Sequence, residues 1–233
     1  MSVGKRVFLQ RKIASKEVMS QLGEIPAANI ADVMERSCAM NPRVKLVSNP
    51  QKPVMVGPAL TVKVRSGDNL ALHAAMNIAQ EGDVIVVSNE GDNTRALMGE
   101  IMMTYLYNYK KIAGIILDGP IRDIDEISKW DFHVYATGTT PGGPYKEGPG
   151  EVNVPISCGE ISVSPGDIVV ADRDGVIIVP RNDAEVILVD AKKVQENDAK
   201  KVLASKTGSA NREWVTKLLN EKEFEFIDKV YGE

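Results

Sequence analysis

Arg122 and Asp123 are the adjacent charged residues whose place in the sequence most favours chemistry. They follow the apolar run 115–117, which is typical of a strand covered on both faces, and the breaking segment 118–120. Asp123 and Glu126 have the spacing of a capping box at the start of a helix. The pair is therefore expected just beyond a strand and at a helix amino terminus, where α/β proteins bind anions. The alternative is that Asp123 only caps the helix and Arg122 is a solvated charge.

An amphipathic helix is predicted before this strand, because apolar residues recur there at the spacing of one helical face. That face is expected to contact the core through Ile101, Met102, Tyr105, Leu106 and Tyr109. A helix over Leu70–Ala79 and a buried strand over Val84–Val87 come earlier, so helix and strand alternate twice. This alternation predicts a parallel βαβ core. His73 lies on the earlier helix and is interpreted as a residue behind a site rather than a catalyst.

The rest of the chain predicts a second β layer and a helical tail. Short turns separate apolar runs between Val154 and Val179, which favours a compact antiparallel layer. Before it, glycine and proline in the loop Gly138–Asn153 predict a long segment without regular structure. Two acidic residues in the turn Asp172–Gly175 match only part of a calcium loop, so that turn is interpreted as structural. From Asp183 onward the pattern is helical.

Composition excludes several classes of function. The formal net charge of −4 argues against a general nucleic-acid interface. The two cysteines, Cys38 and Cys158, are far apart and indicate neither a disulfide framework nor a structural zinc site, which favours a reducing cytoplasm. Neither a signal-peptide core nor a membrane-spanning apolar run is found, so no membrane partner is expected. The 233 residues show no linker and are predicted to form a single domain, 1–233.

Several blocks of the sequence together resemble a known family, that of the 4-hydroxy-4-methyl-2-oxoglutarate and 4-carboxy-4-hydroxy-2-oxoadipate aldolases. The same family includes the non-enzymatic regulator of ribonuclease activity A. The resemblance covers residues 24–182 and leaves 183–233 as a C-terminal helical extension. It is carried by AANIADVMERSCAMNPRVKLV, TVKVRSGDNLALHAAM, AQEGDVIVV, the Gly-Glu pair at 99–100, ILDGPIRD, GPYKEGPGEVNVPISCG and PGDIVVADRDGVIIVP.

The resemblance implies an α/β protein with a swivelling β/β/α fold, assembled as a homotrimer or homohexamer with the site between subunits. It also implies a Mg²⁺- or Mn²⁺-dependent lyase, a pyruvate aldolase with oxaloacetate decarboxylase activity. By position, Asp123 would hold the metal and Arg122 the 2-oxo acid substrate. Glu100 would position a proton-transferring water. Gly99 belongs to the same segment, and the backbone amides of Ile101 and Met102 would contact the pyruvate carboxylate.

The interval between Glu100 and Arg122 departs from the family pattern. It contains 21 residues, one more than is usual in the family. An extra residue in the turn near Asn108–Lys111 would leave both ends in place. An extra residue inside the helix would instead rotate Glu100 by about 100°.

The chemistry of such a cleavage can be stated from general principles. Breaking the C3–C4 bond of a 4-hydroxy-2-oxo acid expels pyruvate enolate, which requires a Lewis acid on the keto oxygen and a base on the hydroxyl. A Schiff-base lysine is the other solution, and Lys63 is the candidate, but its place in the alternating strand Thr61–Arg65 predicts that it faces away from the core. Two further readings stay open, a regulator that binds a ribonuclease or another protein, and a decarboxylase of an unrelated oxo acid.

Overall fold

The computed structural model describes residues 3–232, and the chain divides into two compact units at Gln195 and Glu196. The strands are β1 (Lys5–Val7), β2 (Lys45–Leu46), β3 (Met55–Val64), β4 (Val84–Ser88), β5 (Gly114–Asp118), β6 (Pro120–Ile121), β7 (His133–Ala136), β8 (Gly138–Thr139), β9 (Gly150–Val152), β10 (Ile156–Cys158), β11 (Ile161–Val163), β12 (Ile168–Asp172) and β13 (Gly175–Val179). The helices are α1 (Lys16–Leu22), α2 (Ala27–Val33), α3 (Leu70–Ile78), α4 (Glu100–Thr104), α5 (Ile124–Ile127), α6 (Ala184–Lys206) and α7 (Glu213–Glu221), and α4 continues as a π-helix over Tyr105–Lys110.

Four parallel strands, β3, β4, β5 and β7, form the centre of the main sheet. On one side β9 pairs antiparallel with β3 and parallel with β1, and on the other β2 pairs antiparallel with β7. The crossovers β3–α3–β4 and β4–α4–β5 are the two βαβ units that the alternation of patterns predicted. The carboxyl ends of the central strands therefore lie along one edge, where α/β sheets commonly place ligands.

The two faces of the sheet build separate cores, because successive side chains of a strand point to opposite faces. In β4, Ile85 and Val87 pack with α3 and α4, whereas Val84 and Val86 pack with the hairpin of β10 and β11. All four side chains are fully buried. A strand covered on both faces reads as a continuous apolar run, which explains why β4 and β5 show no alternation in the sequence.

The second β layer is attached through the long strand β3. Its first half pairs antiparallel with β12, from Met55 opposite Ala171 to Pro58 opposite Ile168, and its second half pairs with β4. The hairpin of β12 and β13 is covered in turn by α1, α2 and the first part of α6. The predicted α/β class, with a parallel βαβ core, a second β layer and C-terminal helices, is confirmed.

Two expectations about individual elements are wrong in part. The stripe predicted for the helix after β4 faces the core only in part: Leu106 is buried and Met102 packs against the core, whereas Ile101 is 82% and Tyr109 73% exposed. The loop Gly138–Asn153 is not entirely irregular, because its last residues form β9, which joins the main sheet beside β3. In both cases pairing and packing over long sequence distances overrode the local pattern.

The second unit contains the end of α6 and the helix α7, and most of its large apolar side chains are exposed. They are Val202, Leu203, Trp214, Leu218, Phe224, Phe226, Ile227, Val230 and Tyr231. Within residues 3–232, none of the helices combines the length and apolar character needed to cross a lipid bilayer.

Candidate functional site

The connections that follow β4 and β5 meet side by side. The amide of Leu97 donates to the carbonyl of Pro120 at 3.1 Å, and the amide of Arg122 donates to the carbonyl of Met98 at 3.0 Å. These bonds form a short parallel bridge between Met98 and Ile121. As a result, Gly99 lies beside Arg122 and Asp123 although the two segments are more than twenty residues apart in the sequence.

Gly99 permits a close approach that no other residue would allow. A Cβ atom built on Gly99 would lie 2.3 Å from Asp123 Oδ2 and 2.8 Å from Arg122 Cγ. The next residue, Glu100, donates its backbone amide to the same Asp123 Oδ2 at 3.0 Å. The start of α4 therefore holds the Asp123 carboxylate by a hydrogen bond from the main chain, which does not depend on the side chain at position 100.

Asp123 does not form the capping box that its spacing to Glu126 predicted. It occupies the residue before α5, but its side chain makes no capping hydrogen bond and turns instead to α4. Its backbone is left-handed, with φ 63° and ψ 36°. Aspartate tolerates this region better than most residues, and such backbone conformations concentrate at functional sites. The conformation aims the carboxylate away from its own helix.

The Asp123 carboxylate keeps access to solvent and has a cation beside it. Arg122 Nε lies 3.6 Å from Asp123 Oδ2, and the two side chains are 45% and 40% exposed. One carboxylate oxygen is thus held by the Glu100 amide and faces the guanidinium. A half-exposed carboxylate retains lone pairs for an additional ligand.

Arg122 separates two adjacent clefts. The first, of about 340 Å³, is lined by Gly99, Ile101 and Met102 of the α4 region, with further residues from α3 and from the loop between β8 and β9, called here the glycine-rich loop. The second, of about 440 Å³, is lined by Asp123, Asp125 and the hydroxyl-bearing Thr139 and Thr140. Both volumes suit a small metabolite, since small-molecule sites span roughly 300–1,000 Å³.

Two residues that line the first cleft, Ile101 and Met102, have backbone amides without an acceptor among the described residues. Ile101 and Met102 occupy the first turn of α4, where amides have no partner within the helix, and among residues 3–232 neither amide has another backbone partner. Their nearest intrahelical bond is the one from Met103 to Gly99, at 3.2 Å. Such amides, at the positive end of a helix, can bind a carboxylate.

The side chain of Glu100 is exposed and lines neither cleft. Its predicted role in positioning a water therefore stays a prediction, whereas its amide makes the contact described above. The additional residue between Glu100 and Arg122 has a structural counterpart, since the helix after Thr104 is π-helical. A π-helical ring closes over one more residue than an α-helical ring. The π-helical segment lies beyond Glu100, and the turn that starts at Glu100 is α-helical.

The glycine-rich loop is ordered by buried polar contacts and closes the first cleft. Asp68 Oδ2 accepts the amides of Glu147, at 2.6 Å, and Gly148, at 2.9 Å. The Arg95 guanidinium lies 4.0 Å from the centre of the Tyr145 ring and donates to a loop carbonyl. This anchoring brings Lys146 to the cleft wall.

Sequence reasoning did not place Asn69 and Lys146 in the site, and it left His73 behind the site. All three line the first cleft. Their signal in the sequence is weak, because a turn before a helix and a lysine in a glycine-rich loop are common surface features. The hydrogen bonds from the loop to Asp68, which span about 80 residues of sequence, bring Lys146 to the start of α3.

Within residues 3–232, no three His, Cys, Asp or Glu side chains come together as a metal site. A metal here would rely on Asp123, with Asp125 in the same cleft. This donor set fits Mg²⁺, which commonly takes one or two protein carboxylates and keeps its other positions for water and substrate oxygens. The exposed Asp123 oxygen is available for such a bond.

A larger cavity, of about 760 Å³, lies elsewhere, and three of the charged side chains that line it pair with one another. The Arg43 guanidinium forks onto the Asp118 carboxylate with bonds of 3.1 and 3.0 Å, and it also pairs with Glu160. Lys63 borders this cavity and is exposed, as its alternation in β3 predicted. An exposed lysine lacks the desolvation that a Schiff-base nucleophile requires.

Comparisons with known proteins agree with this architecture. A protein of Halalkalibacterium halodurans named "Putative 4-hydroxy-4-methyl-2-oxoglutarate aldolase" is 38% identical over 208 residues, covering 89% of this chain and 98% of its own. A solved structure from Streptomyces coelicolor, described as an unusual member of the RNase ES inhibitor RraA family, has a TM-score of 0.73 at 26% identity and covers 82% of this chain and 98% of its own. An uncharacterized Pseudomonas syringae protein, 23% identical, shares the fold with a TM-score of 0.74 over 86% of this chain and 97% of its own.

A family model also matches this chain. The model for RraA-like proteins, described as Aldolase/RraA, matches residues 27–178, which include both connections of the site and the glycine-rich loop. The chain therefore belongs to the RraA-like family.

Proposed function

We propose that this protein is a divalent-metal-dependent lyase that cleaves a 4-hydroxy-2-oxo dicarboxylic acid into pyruvate and a second oxo acid. The observation that carries the proposal is the junction of the two connections, where the Asp123 carboxylate, the Arg122 guanidinium and two free amides of α4 meet. The Halalkalibacterium halodurans relative, which covers 89% of this chain and is named "Putative 4-hydroxy-4-methyl-2-oxoglutarate aldolase", supports it.

Each of these groups has a distinct part in binding the pyruvate half. The free amides of Ile101 and Met102 would donate to the C1 carboxylate, at the positive end of the helix. Arg122 would donate to the C2 keto oxygen, because its planar fork suits adjacent oxygen atoms. Asp123 would hold Mg²⁺ or Mn²⁺, and the bound metal would supply Lewis-acid polarisation of the keto group.

Proton transfer requires a further group. The hydroxyl proton at C4 must leave as the C3–C4 bond breaks, and C3 must then receive a proton to give pyruvate. Glu100 would act through a water, from its exposed position at the rim beside Asp123. Decarboxylation of oxaloacetate passes through the same pyruvate enolate, so the same groups would support it.

The test is pyruvate release, coupled to lactate dehydrogenase, from 4-carboxy-4-hydroxy-2-oxoadipate, 4-hydroxy-4-methyl-2-oxoglutarate and oxaloacetate. We expect turnover with Mg²⁺ or Mn²⁺, and its loss with excess chelator. Asp123→Ala should lower turnover by about 100-fold or more, since one electrostatic contact at a reacting centre is worth that much. Asp174→Ala, in an exposed turn, is the matched control. Full turnover by the metal-free protein would overturn the proposal.

The second candidate is a regulatory protein that keeps the fold and binds a ribonuclease. The Streptomyces coelicolor relative, described as belonging to an RNase ES inhibitor family, favours this candidate. It predicts a stable complex with the ribonuclease, measured by co-purification and inhibition of RNA cleavage, and no pyruvate release from any of the three acids. Turnover without a complex would exclude it.

A further inference from the structure

Strand β1 leaves one edge of the main sheet open. It stands last in the strand order β1-β9-β3, and among residues 3–232 it pairs with β9 alone. The carbonyl of Gly4 and the amide of Phe8 make hydrogen bonds with β9. Because successive residues of a strand direct these groups to opposite sides, the amides and carbonyls of Lys5 and Val7 point away from β9. An edge of this kind can accept a further strand.

An apolar groove of about 470 Å³ runs beside this edge. Its lining includes Val7 of β1 and Leu70, Ala71 and Ala74 of α3. Val7 is 43% and Leu70 47% exposed, so apolar side chains of the groove face solvent. Lys5 also lines the groove, and among the described residues its ammonium makes no hydrogen bond or ion pair. The edge therefore combines an apolar surface with one unpaired cation.

The segment 224–228, which follows α7, has the sequence pattern of a strand. Phe224, Phe226 and Asp228 alternate with Glu225 and Ile227, so the first three would share one face of an extended chain. Phe224 is 61% and Phe226 70% exposed. Among residues 3–232, no amide of this segment beyond Phe224 donates to a backbone carbonyl. The segment therefore has two exposed rings, acidic groups and free amides.

The chemistry of the side chains selects how the two elements would pair. In an antiparallel ladder, two residues that exchange both hydrogen bonds lie directly opposite each other. If Phe226 lies opposite Val7, then Asp228 lies opposite Lys5, which joins a ring to the groove and a carboxylate to the ammonium. A shift by one residue would place Glu225 opposite Val7, and a parallel orientation would leave Lys5 opposite a phenylalanine. In this antiparallel register both pairs match.

We propose that β1 of one copy of the chain binds the segment 224–228 of a second copy as an antiparallel strand. The partner is a second copy because β1 and the segment are both exposed in the same chain, and residues 196–232 include no buried residue. Exchange of identical elements between copies is a known route to assembly. Gly4, with φ 89°, precedes the strand, so Val3 lies outside the pairing. The proposal does not depend on the proposed lyase activity.

Disulfide trapping in the full-length protein is the direct test. Chains that carry Val7→Cys are co-expressed with chains that carry Phe226→Cys, and the protein is oxidised with copper phenanthroline. We expect a linked product of twice the chain mass, since opposite residues of such a pair have Cα atoms about 5.5 Å apart, which suits a disulfide. Both positions are exposed, and the native cysteines are buried. Ile227→Cys, whose side chain would face away from Val7, is the matched control and should link about tenfold more slowly.

Charge exchange tests the second pair of residues. Lys5→Glu in the Val7→Cys chain should slow linkage about three- to tenfold, because like charges then lie opposite each other. Asp228→Lys in the Phe226→Cys chain should restore the rate, since the pair is rebuilt with its charges reversed. Lys16→Glu, at an exposed position of α1, is the control for a general effect of charge.

Each result decides the proposal. Linkage that is slow for Ile227→Cys and is restored by the double charge exchange would support it. No linkage, or equal linkage for Ile227→Cys, would overturn the pairing, and an unchanged rate with Lys5→Glu would overturn the register. If a chain with both Val7→Cys and Phe226→Cys links only within itself, the segment binds its own β1 and the exchange between copies is wrong.

Discussion

Gly99 sets the distance between the two halves of the candidate site. Its missing side chain lets Asp123 Oδ2 reach the amide of Glu100. Even alanine would collide with that oxygen, because its Cβ atom would lie only 2.3 Å away. The backbone of Gly99 is extended, so the restriction comes from the close approach and not from an unusual backbone conformation.

We predict that Gly99→Ala displaces Asp123 and lowers pyruvate release by about 100-fold, because misplacement by one ångström has that effect. The protein should stay folded, since local overpacking costs about 1–3 kcal/mol of a stability of about 5–15 kcal/mol. Activity and thermal unfolding are the measurements. Gly138→Ala is the matched control, because nothing lies within 4 Å of its Cβ position. Normal activity in Gly99→Ala would show that Asp123 need not occupy this position.

Glu100→Gln separates the side chain of Glu100 from its backbone contact. The substitution keeps the hydrogen bond from the backbone amide of residue 100 to Asp123. Binding of pyruvate as a competitive inhibitor should therefore be unchanged. If the carboxylate positions a proton-transferring water, kcat should fall about 10²- to 10⁴-fold. An unaltered kcat would mean that this carboxylate takes no part in the reaction.

At the scale of residues, the sequence correctly predicted that Arg122 and Asp123 lie between a strand and the start of a helix. It predicted the other residues of the candidate site only in part. A strand followed by Gly-Pro and a charged pair is a local pattern, and the structure places that pair where the pattern indicated. The sequence did not predict which amide Asp123 contacts. Its spacing to Glu126 predicted a capping bond within its own helix, whereas the side chain accepts from the amide of Glu100. Lys146 and Asn69 come together only through contacts over long sequence distances.

Among the elements, the helix that begins at Glu100 departs most from its sequence pattern. Its π-helical second half changes the angle between successive side chains, so a stripe calculated for 3.6 residues per turn does not predict which side chains are buried. Tyr105 and Tyr109, both in the π-helical half, are exposed, and their rings stack with centres 5.1 Å apart. The core strands β4 and β5, which have no such irregularity, were predicted correctly.

Strand β7 carries a buried histidine that should make stability depend on pH. His133 is 6% exposed, and burial lowers its pKa below the ordinary value of 6.5. The unfolded chain therefore binds a proton before the folded protein does as the pH falls. The stability that depends on neutral His133 is complete above about pH 6.5 and is lost below it, by at most about 1.4 kcal/mol per pH unit.

We expect His133→Phe, which keeps a ring beside Tyr135, to flatten this decline between pH 7 and pH 5. The measurement is urea unfolding of the native protein and the variant at several pH values. The sequence has two histidines, and both proteins keep the other one, His73, so its contribution to the pH dependence is the same in both. An identical slope in the two proteins would contradict the assignment to His133.

At the scale of the whole molecule, the exposed stripe of Ile101, Tyr105 and Tyr109 adjoins the free amides of the first cleft. A contiguous apolar surface of this kind commonly marks an interface. We propose that a second copy of the chain covers it in a homotrimer or homohexamer, which would enclose the clefts and exclude water from them.

The assembly predicts that Tyr109→Asp dissociates the oligomer and lowers pyruvate release together with it. Light scattering coupled to size-exclusion chromatography measures the mass, and Val3→Asp, at another exposed apolar position, is the control. A monomeric native protein with full activity would contradict the proposal, as would a Tyr109→Asp oligomer of unchanged mass. The sequence indicated an assembly only through family resemblance, because an exposed tyrosine and a buried one look alike in a periodic pattern.

The anchoring of the glycine-rich loop by Asp68 has a consequence for how the family can diversify. Asp68 precedes α3, whereas Asp123 and Arg122 follow β5, so the loop and the proposed metal-binding carboxylate are attached to different parts of the scaffold. Residues 144–147 can therefore change without disturbing the bonds that orient Asp123. A library of variants restricted to those loop positions should therefore contain proteins that cleave substrates with a different second oxo acid. Each of them should still bind the pyruvate half of the substrate.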